Sequence, residues 1–210
     1  SILSLLGEYG SVVEQLLHSR ALLAALGLLA VTNIYRTVNA SFWGVLFTTK
    51  LGFPESQIPL YALVRSVIIT ACFFLVGHRL TNMRNFRAPL WAGFLAFFLS
   101  QGLLVIMPAR ATPLLVTSVV LEAMGWALAN PMVESLLAVA LDTHERARLS
   151  ALVYMSLILF TSPFGWIAGQ LSAIDRSLPF ALNMGLAVVG VGLVWLVDRR
   201  RASPSSQAES

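Results

Sequence analysis

Charged residues are scarce in this sequence. Only 11% of its 210 residues are Asp, Glu, Lys or Arg, whereas 57% are hydrophobic, and the mean hydropathy is +0.78. A typical soluble domain has about 25% charged residues, so the composition excludes a soluble core of this size. Apolar runs long enough to cross a bilayer as a helix recur along the chain. The sequence therefore predicts a multi-pass membrane protein.

Cysteine and signal features are also lacking. Cys72 is the single cysteine, which rules out an internal disulfide and a stapled secreted scaffold. The net charge is +4, but the basic residues border the apolar runs and form no basic domain, so no nucleic-acid partner is expected. The chain begins without Met and without a signal peptide, which predicts that it is part of a longer protein.

The apolar runs predict an all-α membrane fold of six transmembrane helices, arranged as two three-helix repeats. The predicted helices cover residues 21–47, 57–77, 88–107, 113–140, 149–171 and 179–197. We expect a cytoplasmic linker over 1–20, a six-helix bundle over 21–198 and a cytoplasmic tail over 199–210. Pro131 and Pro163 predict kinks in the fourth and fifth helices, because proline removes a backbone hydrogen bond.

Lys and Arg predict the orientation of the bundle. Nine of them lie at one set of helix ends, whereas only Lys50, Arg110 and Arg176 lie at the other. The excess of positive charge is typical of the cytoplasmic side, so both ends of the chain are predicted to be cytoplasmic. The expected location is the inner membrane of a cell, with the lipid bilayer as solvent.

Four ionisable residues fall inside the predicted helices: Arg36, Arg65, Glu122 and Glu134. A lone charge in the bilayer is unfavourable, so pairing or contact with a wet cavity is expected. Counting residues from the helix ends places Arg36, Arg65 and Glu122 in one layer in the middle of the membrane. Glu134 is predicted to lie nearer the inner mouth.

These charges and the neighbouring polar side chains form a candidate pathway for substrate or protons. Its predicted members are Asn33, Arg36, Asn39, Arg65, Glu122, Trp126 and Asn130. Helical spacing puts Asn33 and Arg36 on a similar side, with Asn39 at its margin, and puts Trp126 beside Glu122. A Trp beside a Glu suits a site that stacks an apolar ring next to an acid. The alternative is a purely structural ion pair between Arg36 and Glu122.

The third and sixth helices carry no charge within the membrane. Their clearly polar side chains are only Ser100, Gln101 and Asn183. We therefore expect these two helices to face lipid. This distribution is typical of an inverted repeat of three helices plus three, although the sequence shows no internal repeat.

Three segments resemble the C-terminal half of a major facilitator superfamily transporter. They are the inner loop DTHERARLSALVY (142–154), the segment TSPFGWIAGQL (161–171) and the loop GHRLTNMRNFR (77–87). The last keeps Gly77 and Leu80 of the family's loop motif but lacks its Asp-Arg pair. The resemblance implies six of twelve helices, with the third and sixth of this chain facing lipid.

The resemblance also implies partners and a mechanism. A second six-helix unit, either an N-terminal half of the same chain or a second copy, would rock against this one around a site at the midplane. The resemblance suggests four residues at a cytoplasmic gate: Arg79, Glu134, Arg146 and Arg148. The alternative role of the three arginines is to anchor the inner loops.

The predicted function is secondary active transport of a small solute, with proton coupling as the expected energy source. Glu122 beside Arg36 or Arg65 could exchange its proton when the pairing changes. Alternatively, an anionic substrate would use the two arginines directly. Export is slightly favoured, because aromatic side chains suit an efflux cavity: Tyr35, Trp43, Tyr61 and Trp126. The amides of Asn33, Asn39 and Asn130 would suit uptake instead.

Two other classes of protein remain open. An intramembrane enzyme would need a catalytic pair or a metal at membrane depth. However, His18, His78 and His144 lie at or outside the helix ends, and neither H-E-x-x-H nor G-x-S-x-G occurs. The sequence therefore predicts no catalytic residue, metal or cofactor. A membrane scaffold or sensor is the other class, in which every polar side chain would be packed in pairs without a wet cavity.

Overall fold

The structure, a computed structural model, describes residues 20–80, 87–140 and 146–201, which are almost entirely helical. The helices are α1 (Arg20–Val45), α2 (Ile58–Leu80), α3 (Arg87–Ile106), α4 (Thr112–Ala140), α5 (Arg146–Ile174) and α6 (Leu178–Arg201). A π-helical turn at Leu46–Lys50 extends α1, and a 3-10 turn at Glu55–Gln57 precedes α2. Each of the six helical segments is long and apolar enough to cross a membrane, which confirms the predicted all-helical fold.

The helices run past several predicted boundaries. In particular, α5 begins three residues earlier and ends three residues later than the predicted 149–171. Both α4 and α5 continue as single helices through Pro131 and Pro163. A long apolar helix satisfies its remaining backbone groups internally, so the loss of one hydrogen bond does not end it. The helix α6 continues to Arg201, into the predicted tail, whereas the rest of that tail and most of the predicted linker lie outside the described residues. The two-repeat arrangement stays a prediction.

Close packing of α3 against α4 forms the centre of the bundle. A Cβ atom added at Gly93 would lie 2.9 Å from the Cβ of Ala129, and one added at Gly125 would lie 3.1 Å from the Gly93 carbonyl oxygen. Small residues let helix backbones approach in this way, and such contacts are common between membrane helices. Phe94 and Phe97 are fully buried beside this contact, so α3 is anchored by both small and large side chains.

A buried polar network ties α3 to α1 and α6. The Gln101 side-chain amide donates a hydrogen bond to the Tyr35 hydroxyl at 2.6 Å. The Asn183 side-chain amide donates to Gln101 Oε1 at 3.4 Å. On the other side of α3, the Ser100 hydroxyl donates to the Ser118 carbonyl oxygen of α4 at 2.9 Å. The uncharged polar residues of α3 and α6 therefore hold helices together.

The third and sixth helices were expected to face lipid, and in the described chain they also pack along other helices. Here α3 lies along both α4 and α6, and α6 also lies along α1. Exposed apolar side chains occur on α3 and α6, as at Leu95 (55%) and Val188 (57%), and on α2 and α5, as at Phe74 (85%) and Leu159 (78%). Ser100, Gln101 and Asn183 form contacts between helices, and the expectation that the third and sixth helices face lipid stays a prediction.

The turns at one end of the bundle are joined by hydrogen bonds. The Lys50 ammonium donates to the Val105 carbonyl oxygen near the end of α3 at 3.0 Å. The Arg110 amide donates to the Leu51 carbonyl oxygen at 2.9 Å. Between α5 and α6, the Asp175 carboxylate accepts hydrogen bonds from the Ser177 hydroxyl and amide, which lower the pKa of Asp175. These contacts hold the turns between the helices in place.

Candidate functional site

The charged residues of the predicted pathway lie midway along the apolar helices. The candidate spans Leu22–Lys50 and Glu55–Leu75 have residues 36 and 65 as their midpoints, and both of these residues are arginines. The span Thr112–Val139 has its midpoint between residues 125 and 126, one turn from Glu122. All three charges therefore lie at a similar level, as the sequence predicted from residue counts.

Glu122 is the centre of a hydrogen-bonded cluster that joins three helices. Its Oε1 atom lies 3.1 Å from Arg65 Nη1 of α2 and accepts a hydrogen bond from Asn39 Nδ2 of α1 at 2.6 Å. The Glu122 side chain is only 2% exposed, whereas that of Arg65 is 39% exposed. Hydrogen bonds to an ionised group are stronger than those between neutral groups, so this carboxylate links α1, α2 and α4.

A cavity of about 440 Å³ opens beside this cluster. Ten residues line it: Arg36, Asn39, Ala40, Arg65, Ser66, Ile69, Phe73, Glu122, Trp126 and Asn130. A neighbouring cavity of about 240 Å³ also borders Asn39, Arg65 and Glu122, and extends to Trp43 and Tyr61. Small-molecule sites in proteins are of comparable size, with mostly apolar walls and a few polar groups. The arrangement can therefore hold a small solute at the level of the three charges.

Arg36 differs from Arg65 in its surroundings. Its side chain is exposed to the larger cavity, and no residue in the described part of the chain forms an ion pair or hydrogen bond with it. The alternative, an ion pair between Arg36 and Glu122, was therefore wrong, because Glu122 pairs with Arg65 instead. Arg36 is left as a cation that faces open space.

The structure places six of the seven predicted pathway residues on the larger cavity: Arg36, Asn39, Arg65, Glu122, Trp126 and Asn130. Asn33 is the exception, because its side-chain amide donates to the Thr161 hydroxyl of α5 at 3.1 Å. At about 100° per residue, Asn33 and Asn39 point roughly 120° apart around α1. One amide therefore faces α5 while the other faces α4.

Sequence reasoning missed three residues of α2 on the larger cavity. Ser66, Ile69 and Phe73 also line the cavity. Ile69 and Phe73 follow Arg65 at steps of four residues, and residues at this spacing share a face of a helix. The positions could have been found by extending the Arg65 face along α2.

Tyr35 and the gate candidates lie elsewhere. Tyr35 is buried in the core, where its ring centroid lies 4.3 Å from that of Phe97. It therefore does not line the cavity, although the sequence had suggested that it would. Glu134 accepts a hydrogen bond from the Tyr154 hydroxyl of α5 at 2.8 Å. The side chains of Arg79, Arg146 and Arg148 lie outside the described part of the chain, so the gate stays a prediction.

No family model matches the sequence, and neither a curated protein nor a solved structure gives a match. The resemblance to the major facilitator superfamily therefore stays a prediction from loop segments and helix order. Among the described residues, no group of three His, Cys, Asp or Glu side chains could hold a metal ion. Any functional interpretation must start from the cavity itself.

Proposed function

We propose that this protein is a membrane transporter that moves a small solute by alternating access. The observation that supports the proposal is a cavity lined by Arg36, Arg65 and Glu122 at the midpoints of helices long and apolar enough to span a bilayer. Charges at this depth are unfavourable in lipid, and in membrane proteins they mark pathways for substrates, ions or protons. A wholly structural cluster would not need an open cavity beside it.

Glu122 is the proposed site of proton coupling. Its carboxylate is buried, and it forms an ion pair with Arg65 across the α2–α4 contact. A proton on Glu122 would remove the negative charge that binds Arg65 and Asn39. Protonation would therefore weaken the contacts between α1, α2 and α4. Proton binding and helix movement are then linked through one side chain.

A second six-helix unit is proposed to cover the open side of the cavity. Arg36, Ser66 and Asn130 are exposed in the described chain, although they lie among apolar helices. Such polar residues face protein or water rather than lipid. The exposed apolar faces of α2 and α5 are available for the same contact. The export direction and the inner-membrane location stay predictions from the sequence.

The proton-coupling role can be tested in proteoliposomes that contain a trapped pH-sensitive dye. A panel of cationic, anionic and neutral solutes is added outside, and the change in internal pH is recorded for the native protein. We expect at least one solute to drive a proton flux. Glu122→Gln should abolish that flux, because the amide keeps the shape of the side chain but cannot exchange a proton.

Glu55→Gln is the matched control, since Glu55 is exposed in the turn before α2 and borders neither cavity. It should leave the proton flux unchanged. A full flux in Glu122→Gln would contradict the coupling role. No flux with any solute, in protein that is folded and inserted, would favour the scaffold or sensor interpretation.

A further inference from the structure

We propose that the cavity recognises a small organic anion that carries an apolar ring, and that Arg36 binds its negative group. This inference names the substrate class of the proposed transporter, and so it rests on that function for its biological meaning. It assigns different roles to the two arginines, which the sequence alone did not distinguish. Arg65 is the partner of Glu122, and Arg36 is the ligand for the anion.

The charges around the cavity support an anion. Arg36 and Arg65 are cationic and Glu122 is anionic, so one positive charge is left over among the described residues that line it. Arg65 is already bound to Glu122 Oε1, whereas Arg36 has no partner in the described chain. Glu134 lies twelve residues further along α4, about 18 Å away, and is bound by Tyr154. One bound negative charge would therefore make the layer neutral.

The depth of Arg36 argues against a lipid phosphate as the natural partner. Fourteen residues of the candidate span Leu22–Lys50 lie on either side of Arg36, which corresponds to about 21 Å along the helix in each direction. Long basic side chains reach the headgroups only from near the helix ends. An anion that enters the cavity can pair with a cation at this depth.

The remaining walls suit a ring. Trp126, Phe73 and Ile69 supply apolar and aromatic surface beside the two arginines. Guanidinium groups bind carboxylates and related planar anionic groups with two parallel hydrogen bonds, which gives direction as well as affinity. Trp can stack on an aromatic ring at the same time. A volume of about 440 Å³ is sufficient for a single-ring compound with one acidic group.

The test compares three probes that share a ring and differ in charge. Benzenesulfonate is a permanent anion, benzenesulfonamide is neutral, and benzyltrimethylammonium is a permanent cation. Binding to the intact protein in neutral detergent is measured by calorimetry, so no transport is required. We expect benzenesulfonate to bind more tightly than the other two. Arg36→Gln should weaken its binding by roughly tenfold to a hundredfold, the range for the loss of one charge-assisted hydrogen bond.

Arg36→Lys and Arg110→Gln serve as controls. Lysine keeps the charge but not the paired donors, so Arg36→Lys should bind benzenesulfonate with an intermediate affinity. Arg110 is exposed in the turn before α4 and borders neither cavity, so Arg110→Gln should bind like the native protein. Equal binding of the three probes to the native protein would overturn the proposal without any variant. Unchanged binding in a folded Arg36→Gln protein would also overturn it.

A titration in lipid distinguishes a solute anion from a lipid phosphate as the partner of Arg36. The same titration is made in nanodiscs of phosphatidylcholine and in nanodiscs that also contain phosphatidylglycerol. Equal affinity in both supports a solute anion, whereas competition by phosphatidylglycerol would assign Arg36 to lipid and overturn the proposal. Anion binding without any proton flux would leave this inference standing and contradict proton-coupled transport. Proton flux driven only by cationic or neutral solutes would support proton-coupled transport and overturn the inference that the solute is an anion.

Discussion

Arg65 and Glu122 depend on each other at the scale of single residues. The carboxylate is almost fully buried, and Arg65 is the cation that pairs with it. Arg65→Gln should therefore destabilise the protein by about 1–3 kcal/mol, the usual effect of leaving a buried polar group without a partner. The double variant Arg65→Gln, Glu122→Gln removes both charges and should recover part of that loss. Thermal unfolding of the four proteins in detergent measures the coupling.

A positive result is a coupling energy that exceeds the experimental error, with the double variant more stable than additivity predicts. Arg36→Gln combined with Glu122→Gln provides the comparison, since Arg36 does not contact Glu122 in the described chain. That pair should be close to additive. Additive losses for Arg65 and Glu122 would show that the ion pair contributes nothing to stability.

The residues of the site were visible in the sequence, but their pairing was not. Arg36, Arg65 and Glu122 are recognisable because charges are rare in apolar helices. Which arginine meets Glu122 depends on the rotation of α1 and α2 about their axes, and helical spacing within one helix does not fix that rotation. Asn33 illustrates the same limit, because it lies three residues from Arg36 and still faces α5.

At the scale of helices, the contact between α3 and α4 is sensitive to side-chain size. A Cβ atom at Gly93 would lie 2.9 Å from the Ala129 Cβ and 3.0 Å from its backbone nitrogen. We expect Gly93→Ala to destabilise the protein by about 1–3 kcal/mol, because the two helices would have to separate. Thermal unfolding in detergent measures the change.

Gly185→Ala is the matched control on α6. Nothing lies within 4 Å of a Cβ atom added there, and Gly185 is within a helix. Alanine favours helix more than glycine does, so this variant should be neutral or slightly more stable. Equal effects at both positions would mean that helix propensity, rather than the α3–α4 distance, decides the outcome.

Hydropathy was enough to find the six helices, but it did not reveal the polar contacts between them. Runs of apolar residues signal a helix whether it lies in the centre or at the edge of a bundle. Gln101 and Asn183 join α3 to α6, and each lies in a long apolar run. Their partners lie on other helices, so no pattern within either helix reveals the contact.

At the scale of the whole molecule, the open cavity predicts that the assembled protein contains at least two six-helix units. Light scattering of the intact protein in detergent should therefore give a protein mass of at least twice the 22.8 kDa of this chain. The reason is that Arg36 and Asn130 would otherwise meet lipid at the middle of the membrane. A monodisperse particle of 22.8 kDa that binds solute would contradict the prediction.

Because Arg36 lies halfway along its span, it also lies within the electric field of any energised membrane. The free energy of an elementary charge changes by about 2.3 kcal/mol per 100 mV when the charge crosses the whole membrane potential. The empty cavity carries one unmatched positive charge, whereas a cavity that holds a monovalent anion carries none. With Glu122 ionised in both steps, the voltage would then act on the return of the empty protein and leave the loaded step unaffected. In the proposed transporter, the placement of a single arginine would thus decide which half of the cycle the membrane voltage can drive.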